Sequence, residues 1–145
     1  MSLPTEIEVG DAYAVRTFAV KDGGLTSIAQ QGSHWTEGRC LAVCLTCPED
    51  ADHEVPSIDC TCGVYAFWST EELLDQYVEF ARRIVAVIRM DGLTIEGDRG
   101  VKANAAQIVA WWCAEDALAT ACAASAPGTR RYFDRDVMVR LHGLK

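Results

Sequence analysis

The sequence has few of the features that announce a function. No apolar run approaches the roughly 18 residues needed to cross a bilayer as a helix, which argues against a membrane span. The opening residues, Met1-Ser-Leu-Pro-Thr-Glu-Ile-Glu, carry no basic stretch followed by an apolar one, so no secretory signal is expected there. Cations are in the minority: 13 Lys and Arg face 21 Asp and Glu, for a formal net charge of −8. Binding to nucleic acid draws on cationic contacts to phosphate, and binding to anionic membranes on the same charges, so this balance argues against both. The 3 histidines are scattered, and neither His34 nor His142 has a nucleophile at a recognisable spacing. Gly97-Asp-Arg-Gly100 lacks the Lys-Ser/Thr of a phosphate loop, and there is no His-Glu-x-x-His. No internal repeat is visible. These absences give no catalytic constellation and point to a protein that is not an enzyme.

What is present is enough for a core. Half of the 145 residues are hydrophobic, far from the composition of disordered chains, and the length suits one domain. The expected unit is 1–145, with 1–10 as a loose lead-in and 106–145 as a helical extension packed on the sheet.

The cysteines are the most informative residues. Five of the 7 lie between Cys40 and Cys62, in Cys40-Leu-Ala-Val-Cys44-Leu-Thr-Cys47 and Cys60-Thr-Cys62-Gly63, with His53 between the two groups. A chain without a secretory signal is expected in a reducing cytoplasm, where clustered thiols bind metal more often than they form disulfides. Structural zinc sites take four thiolate or imidazole ligands, supplied as two close pairs with a loop between. Cys44-x2-Cys47 and Cys60-x-Cys62 are two such pairs, although the second is one residue shorter than a standard zinc finger requires. Gly63 lets the backbone amides approach the thiolates, and Pro48 and Pro56 stiffen the loop. A connection as long as 45–62 with no periodicity of its own is expected to be held by something, and a bound ion would hold it. Two other readings of these thiols are a redox switch and a set of unreactive core residues.

The flanking segments are mainly β-like. Ala12–Val20 reads as a strand, Lys21-Asp22-Gly23-Gly24 as a turn, and Leu25–Ala29 as the returning strand. Cys40–Val43 reads as a short strand delivering Cys44. Ser69-Thr-Glu-Glu72 is a capping box opening a helix over 69–83, with Leu73, Tyr77, Phe80, Ala81 and Ile84 at helical spacing. Ile84–Met90 reads as a buried strand, Asp91-Gly92 as a hairpin turn, Leu93–Glu96 as its return, and Val101–Ala105 as a third strand after a turn at Gly97–Gly100. From Gln107 the chain is Ala-rich and predicts a helix ending near Pro127-Gly128. Trp111 and Trp112 would then point about 100° apart, and Cys113 and Cys122 would be core residues. Asp136–His142 predicts a last strand. Together these elements predict an α+β fold: a small antiparallel sheet or partial barrel, two packed helices and a zinc-stapled loop.

Several stretches resemble a group of small uncharacterised proteins of actinobacteria and their mycobacteriophages. These are Trp35-x-x-Gly38, Leu41-Ala-Val-Cys44, His53-Glu-Val-Pro56, Cys60-Thr-Cys-Gly-Val-Tyr-Ala66 and Val85-Ala-Val-Ile-Arg-Met-Asp-Gly92 through Ile95-Glu-Gly-Asp-Arg-Gly-Val-Lys-Ala103. The chain departs from that group at Met90, where an aromatic is expected, and at Val101-Lys102, where an aromatic-Arg pair is expected. The resemblance spans residues 12–106, and Cys-Thr-Cys-Gly is its most specific part. It implies Cys44, His53, Cys60 and Cys62 as the ligands, whereas spacing alone favours Cys47 in place of His53. It carries no established activity. It implies a phage-encoded or phage-related setting, in which a small acidic protein acts by binding a host protein.

The function expected is therefore a non-enzymatic module that binds a host or cellular protein. Two other classes are a nucleic-acid-linked regulator, using Arg130, Arg131 and Arg135 or mimicking DNA, and a thiol-based redox sensor.

Overall fold

The run Ile84-Val-Ala-Val-Ile88 is apolar at every position because both faces of its strand are covered. Ile84, Ala86 and Ile88 join one core cluster, and Val85 and Val87 join another on the opposite face. The structure, a computed structural model, describes residues 12–28, 35–42, 56 and 63–145, together with the backbone of 5–8.

In chain order the elements are β1 (Thr5–Glu8), β2 (Tyr13–Arg16), β3 (Ala19–Lys21), β4 (Gly24–Thr26), β5 (Arg39–Leu41) and β6 (Val64–Phe67). Then come α1 (Thr70–Ala81), β7 (Ile84–Glu96), β8 (Gly100–Cys113), α2 (Asp116–Ser125), β9 (Arg130–Tyr132) and α3 (Arg135–Leu141). The architecture is α+β, as expected, with a mostly antiparallel 7-stranded sheet and a separate 2-stranded hairpin of β3 and β4. Among the described residues there are three helices rather than two. No helix among them is long and apolar enough to cross a membrane.

The sheet is organised around the long β7–β8 hairpin, which runs from Ile84↔Cys113 to Glu96↔Val101. β1 and β2 lie along the free edge of β7. Along the other edge of β8 lie β6, β5 and β9, end to end. The hairpin shifts register at Val87/Ile88 and at Asp91/Thr94, and such bulges increase twist and bend strands. The two outer edges then meet: Val15 of β2 pairs with Phe67 of β6, so β2, β7, β8 and β6 form a closed circuit. The side chain of Arg16 reinforces the closure by donating from Nη1 to the Tyr65 carbonyl at 2.6 Å. One core cluster, with Phe18, Trp35, Ile88, Met90, Ile108 and Trp111, includes α2 residues Leu118 and Cys122; the other, around Val15, Val85 and Val87, lies under α1 and α3.

Several local expectations hold. The turn at Asp22-Gly23, with φ of 53° and 77°, joins β3 to β4. Ser69 caps α1, its hydroxyl accepting from the Glu72 amide at 3.2 Å. The Glu72 carboxylate, however, goes to Arg99 Nε at 2.5 Å, which docks the β7–β8 turn on the helix.

Other expectations are corrected. Asp91-Gly92 is a bulge within β7, and the hairpin turns instead at Gly97–Gly100, where Gly97 N donates to Gly100 O at 2.8 Å. Residues 107–113 continue β8 rather than starting a helix, because pairing with β7 overrides the helical propensity of the alanines. The helix begins only at Asp116. Residues 136–141 are helical, not extended, because the Asp134 carboxylate caps α3 by accepting from Val137 N at 3.1 Å. The lead-in contains a strand, β1, paired with β7.

Candidate functional site

All five candidate zinc ligands, Cys44, Cys47, His53, Cys60 and Cys62, lie outside the described residues. The positions where the chain enters and leaves this segment are described. Leu41 pairs with Ala105, and the Ala42 amide donates to the Asn104 carbonyl at 2.8 Å. On the return, Val64 pairs with Ala103. The two ends therefore meet the same edge of β8 at positions two residues apart, about 7 Å along the strand. Pro56 is buried, and it packs at the same place. A Cβ on Gly63, whose φ is +124°, would meet Pro56 Cβ at 3.1 Å and Lys102 Cβ at 3.2 Å. Covalent connectivity leaves Cys44 two residues from Ala42 and Cys62 next to Gly63. Among the described residues, no three His, Cys, Asp or Glu side chains gather as a metal site.

Cys40 is a strand residue, as expected, and is buried in β5. Arg16 influences its thiol. Burial pushes the Cys40 thiol up and the guanidinium partly opposes that; burial in turn pulls Arg16 down to about 10, against the effect of Cys40. Arg16 Nη2 donates to Ser27 Oγ at 2.8 Å, and Trp35 Nε1 donates to the same oxygen at 3.2 Å. The guanidinium lies 5.5 Å and 5.4 Å from the ring centroids of Phe18 and Trp35. Its Nε is buried without a partner. This arrangement ties β2 to β6 beside the root of the cysteine segment.

A second cluster lies at β9, which among the described strands pairs only with β8. Arg130, Arg131 and Arg135, read from the sequence as a cationic patch, are each placed over aromatic rings. Arg130 lies 4.6 Å from the Tyr132 centroid and Arg135 lies 5.6 Å from Trp112. Arg131 lies 4.3 Å from Phe133 and 5.6 Å from Trp111. Acidic neighbours balance the patch: Arg131 Nη2 is 2.6 Å from Asp116 Oδ1, and Arg135 Nε is 3.4 Å from Asp136 Oδ1. The hydrogen bond that Arg131 donates to Asp116 raises the pKa of Arg131 and so keeps it charged. Phe133 is nevertheless 77% exposed, the most exposed large hydrophobic residue of the described chain. The adjacent tryptophans face opposite sides of the strand: Trp111 is buried, donating from Nε1 to Thr129 Oγ1 at 3.1 Å, and Trp112 packs partly buried on the α1–α3 side.

Sequence reasoning named these arginines but missed Phe133. The available signal was the Arg-Arg-Tyr-Phe run, in which each arginine precedes an aromatic by two residues and so shares its face in a strand.

Of the remaining groups, His142 has structural contacts. His142 Nδ1 lies 2.7 Å from the Met138 carbonyl, and its ring packs edge-on to Tyr13 and Tyr132. His34 lies outside the described residues. On α1, Glu71 and Glu79 are exposed, while Asp75 joins Glu72 in pairing with Arg99, at 3.2 Å. Cys113 and Cys122 are buried, as expected of core residues, although only Cys122 is helical. No protein-family model, curated protein or solved structure matches the chain.

Proposed function

We propose that the chain is a non-enzymatic protein-binding module, stapled by a structural zinc ion, that acts on a host or cellular protein in a phage-encoded or phage-related setting. The observation that carries the binding reading is Phe133. Burying a large aromatic contributes roughly 1.5–3 kcal/mol to folding, and this one is left in solvent. It sits under the guanidinium of Arg131, which Asp116 holds in place, so its ring has little freedom to lose on binding. Exposed aromatics paired with arginine are the residue types that dominate interface energetics. The net charge of −8 favours a partner of net positive charge, while the edge around Phe133 is itself balanced by the Arg131–Asp116 and Arg135–Asp136 pairs.

The zinc reading rests on the donor set, Cys44, Cys60, Cys62 and either His53 or Cys47. The anchoring of Ala42 and Val64 at neighbouring points of β8 supports it, because a segment whose ends are already together closes around an ion at low entropic cost. When bound, the ion supplies a cross-link between the two halves of the segment, not a reaction centre. Comparing the wild type with Phe133→Ala in capture from an actinobacterial lysate tests the binding reading. The expected result is a partner retained by the wild type and lost by the variant. Equal capture by both, or by neither, contradicts it.

One observation favours a second reading, a nucleic-acid-linked regulator. Arginines over aromatic rings also form the stacking surfaces of single-strand binders. Binding to a single-stranded oligonucleotide across salt concentrations separates the two: phosphate contacts give a steep salt slope, and the protein-binding reading predicts no measurable binding.

A further inference from the structure

We propose that the cavity between α1, α3 and the segment after α3 binds a small phosphomonoester. Thr70, Arg140 and Lys145 hold its phosphate, and Leu74, Val139 and Leu144 receive its organic part. The site is separate from the cysteine segment and from Phe133, and the inference does not rest on the protein-binding reading.

Local folding builds the cavity. Ser69 caps α1 and Asp134 caps α3. After α3 the chain turns at Gly143, with φ of 75°, and the Leu144 amide donates to the Val139 carbonyl at 3.1 Å. The Lys145 carbonyl then accepts from the Thr70 amide at 2.7 Å, which fixes this segment to the first turn of α1. The space left is about 850 Å³, within the range of small-molecule sites. Leu74, Val139 and Leu144 belong to or pack against one core cluster and give the cavity its apolar lining.

Thr70 points to a ligand. It lines the cavity, is only 8% exposed, and its Oγ1 is buried without a hydrogen-bond partner. Buried hydroxyls are nearly always paired, and an unpaired one destabilises the fold. A ligand oxygen accepting from this hydroxyl removes that cost.

The charges decide the ligand. Of the lining carboxylates, Asp75 pairs with Arg99 at 3.2 Å, Asp136 pairs with Arg135 at 3.4 Å, and Asp134 accepts from the Val137 amide. Arg135 is engaged by Asp136 and lies over Trp112. Arg140 and Lys145 are exposed and have no ion-pair partner among the described residues. Against them stands Glu71, in the first turn of α1, where the positive end of the helix dipole offsets its charge. The uncommitted groups are thus two cations and a hydroxyl, beside the N-terminus of a 12-residue helix, which also favours an anion. A phosphomonoester carries close to two negative charges at neutral pH and accepts through three oxygens, matching this set. The guanidinium fork of Arg140 suits two of those oxygens.

The test is titration of the isotope-labelled full-length protein with phenyl phosphate, followed by amide NMR shifts, with sodium chloride at matched ionic strength as the blank. The expected result is saturable shifts at Thr70, Glu71 and Lys145, with tighter binding than inorganic phosphate or benzoate. Arg140→Gln should weaken binding about tenfold, the effect of losing a hydrogen bond to a charged group. Thr70→Val should weaken binding several-fold while leaving Tm equal or higher, because it removes an unpaired hydroxyl; a merely structural threonine would lose stability and keep the affinity. No saturable shift, shifts reproduced by sodium chloride, or unchanged affinity in Arg140→Gln overturns the proposal. Arg140 is exposed, so that variant decides the question alone if Thr70→Val fails to fold.

Discussion

The backbone of Gly100 lies against the Ala66 carbonyl so closely that a Cβ there would overlap the oxygen. This contact sits where β6 joins β8, at the end of the sheet that Val15 and Phe67 close. Its surroundings are backbone, which cannot rotate away. Gly100→Ala should therefore destabilise the fold by about 1–3 kcal/mol, the usual cost of overpacking. Gly97, at the other end of the same turn, is the control. A Cβ there would meet only the Gly100 carbonyl, at 3.7 Å. Thermal melts of the two variants should differ clearly, and equal Tm values would mean that β6 does not approach β8 as described.

The cap of α1 is separable from the ion pairs beside it. Ser69→Ala removes the acceptor for the Glu72 amide and should cost about 1 kcal/mol. Arg99→Ala breaks two ion pairs, to Glu72 and Asp75, but the groups are exposed to solvent. Exposed pairs contribute little, and added salt screens them. Urea unfolding should rank Ser69→Ala as the more damaging change, and only the Arg99→Ala deficit should shrink at high salt.

The buried Cys122 thiol gives the fold a pH dependence in the alkaline range. Burial lifts its pKa from the ordinary value of about 9 to about 12. The unfolded chain thus ionises this thiol first, and the stabilisation is complete below pH 9 and lost as pH rises towards 12. The Arg16 pKa, pulled down to about 10, acts in the opposite sense, because a buried guanidinium disfavours the fold until it loses its charge. Comparing the wild type with Cys122→Ala under reducing conditions removes the Arg16 contribution. The stability advantage of the wild type should narrow between pH 9 and pH 12. A constant difference would place the thiol in a polar environment.

Phe133→Ala should leave stability within about 0.5 kcal/mol, as expected for a surface position, because the ring is 77% exposed. Trp111→Ala removes a buried ring and a hydrogen bond to Thr129, and should cost about 3–5 kcal/mol. A large loss of stability in Phe133→Ala would show that the residue supports the fold and is not kept for a partner.

The features that were legible in the sequence are those whose causes are local. Ser69 and Glu72 lie within one helical turn, and Asp22-Gly23 is its own turn. The Ile84–Met90 run announced a buried strand. What stayed illegible depends on residues far away in sequence. Gln107–Cys113 reads as a helix until β7 is available to pair with it, as in Ile84↔Cys113. Val137-Met-Val139 reads as a strand because of its β-branched residues, yet the Asp134 cap and burial of Met138 and Val139 make it helical. Asp91-Gly92 has the composition of a hairpin turn, but here the chain continues through a bulge. The same distinction applies to function. Metal-ligating residue types are visible as letters, whereas the Arg131–Phe133 edge exists only because β9 finds β8.

The central claim is that the cysteine segment is a metal staple for a protein that presents a binding edge. Elemental analysis of protein purified without a histidine tag, followed by thermal melts with and without EDTA, tests it most directly. Structural zinc contributes on the order of 10–16 kcal/mol, comparable to the whole stability of a domain. The account predicts one zinc per chain and a large fall in Tm on chelation, with Cys60→Ser and Cys62→Ser both losing the metal. Metal-free protein whose melting curve is unchanged by EDTA would contradict it.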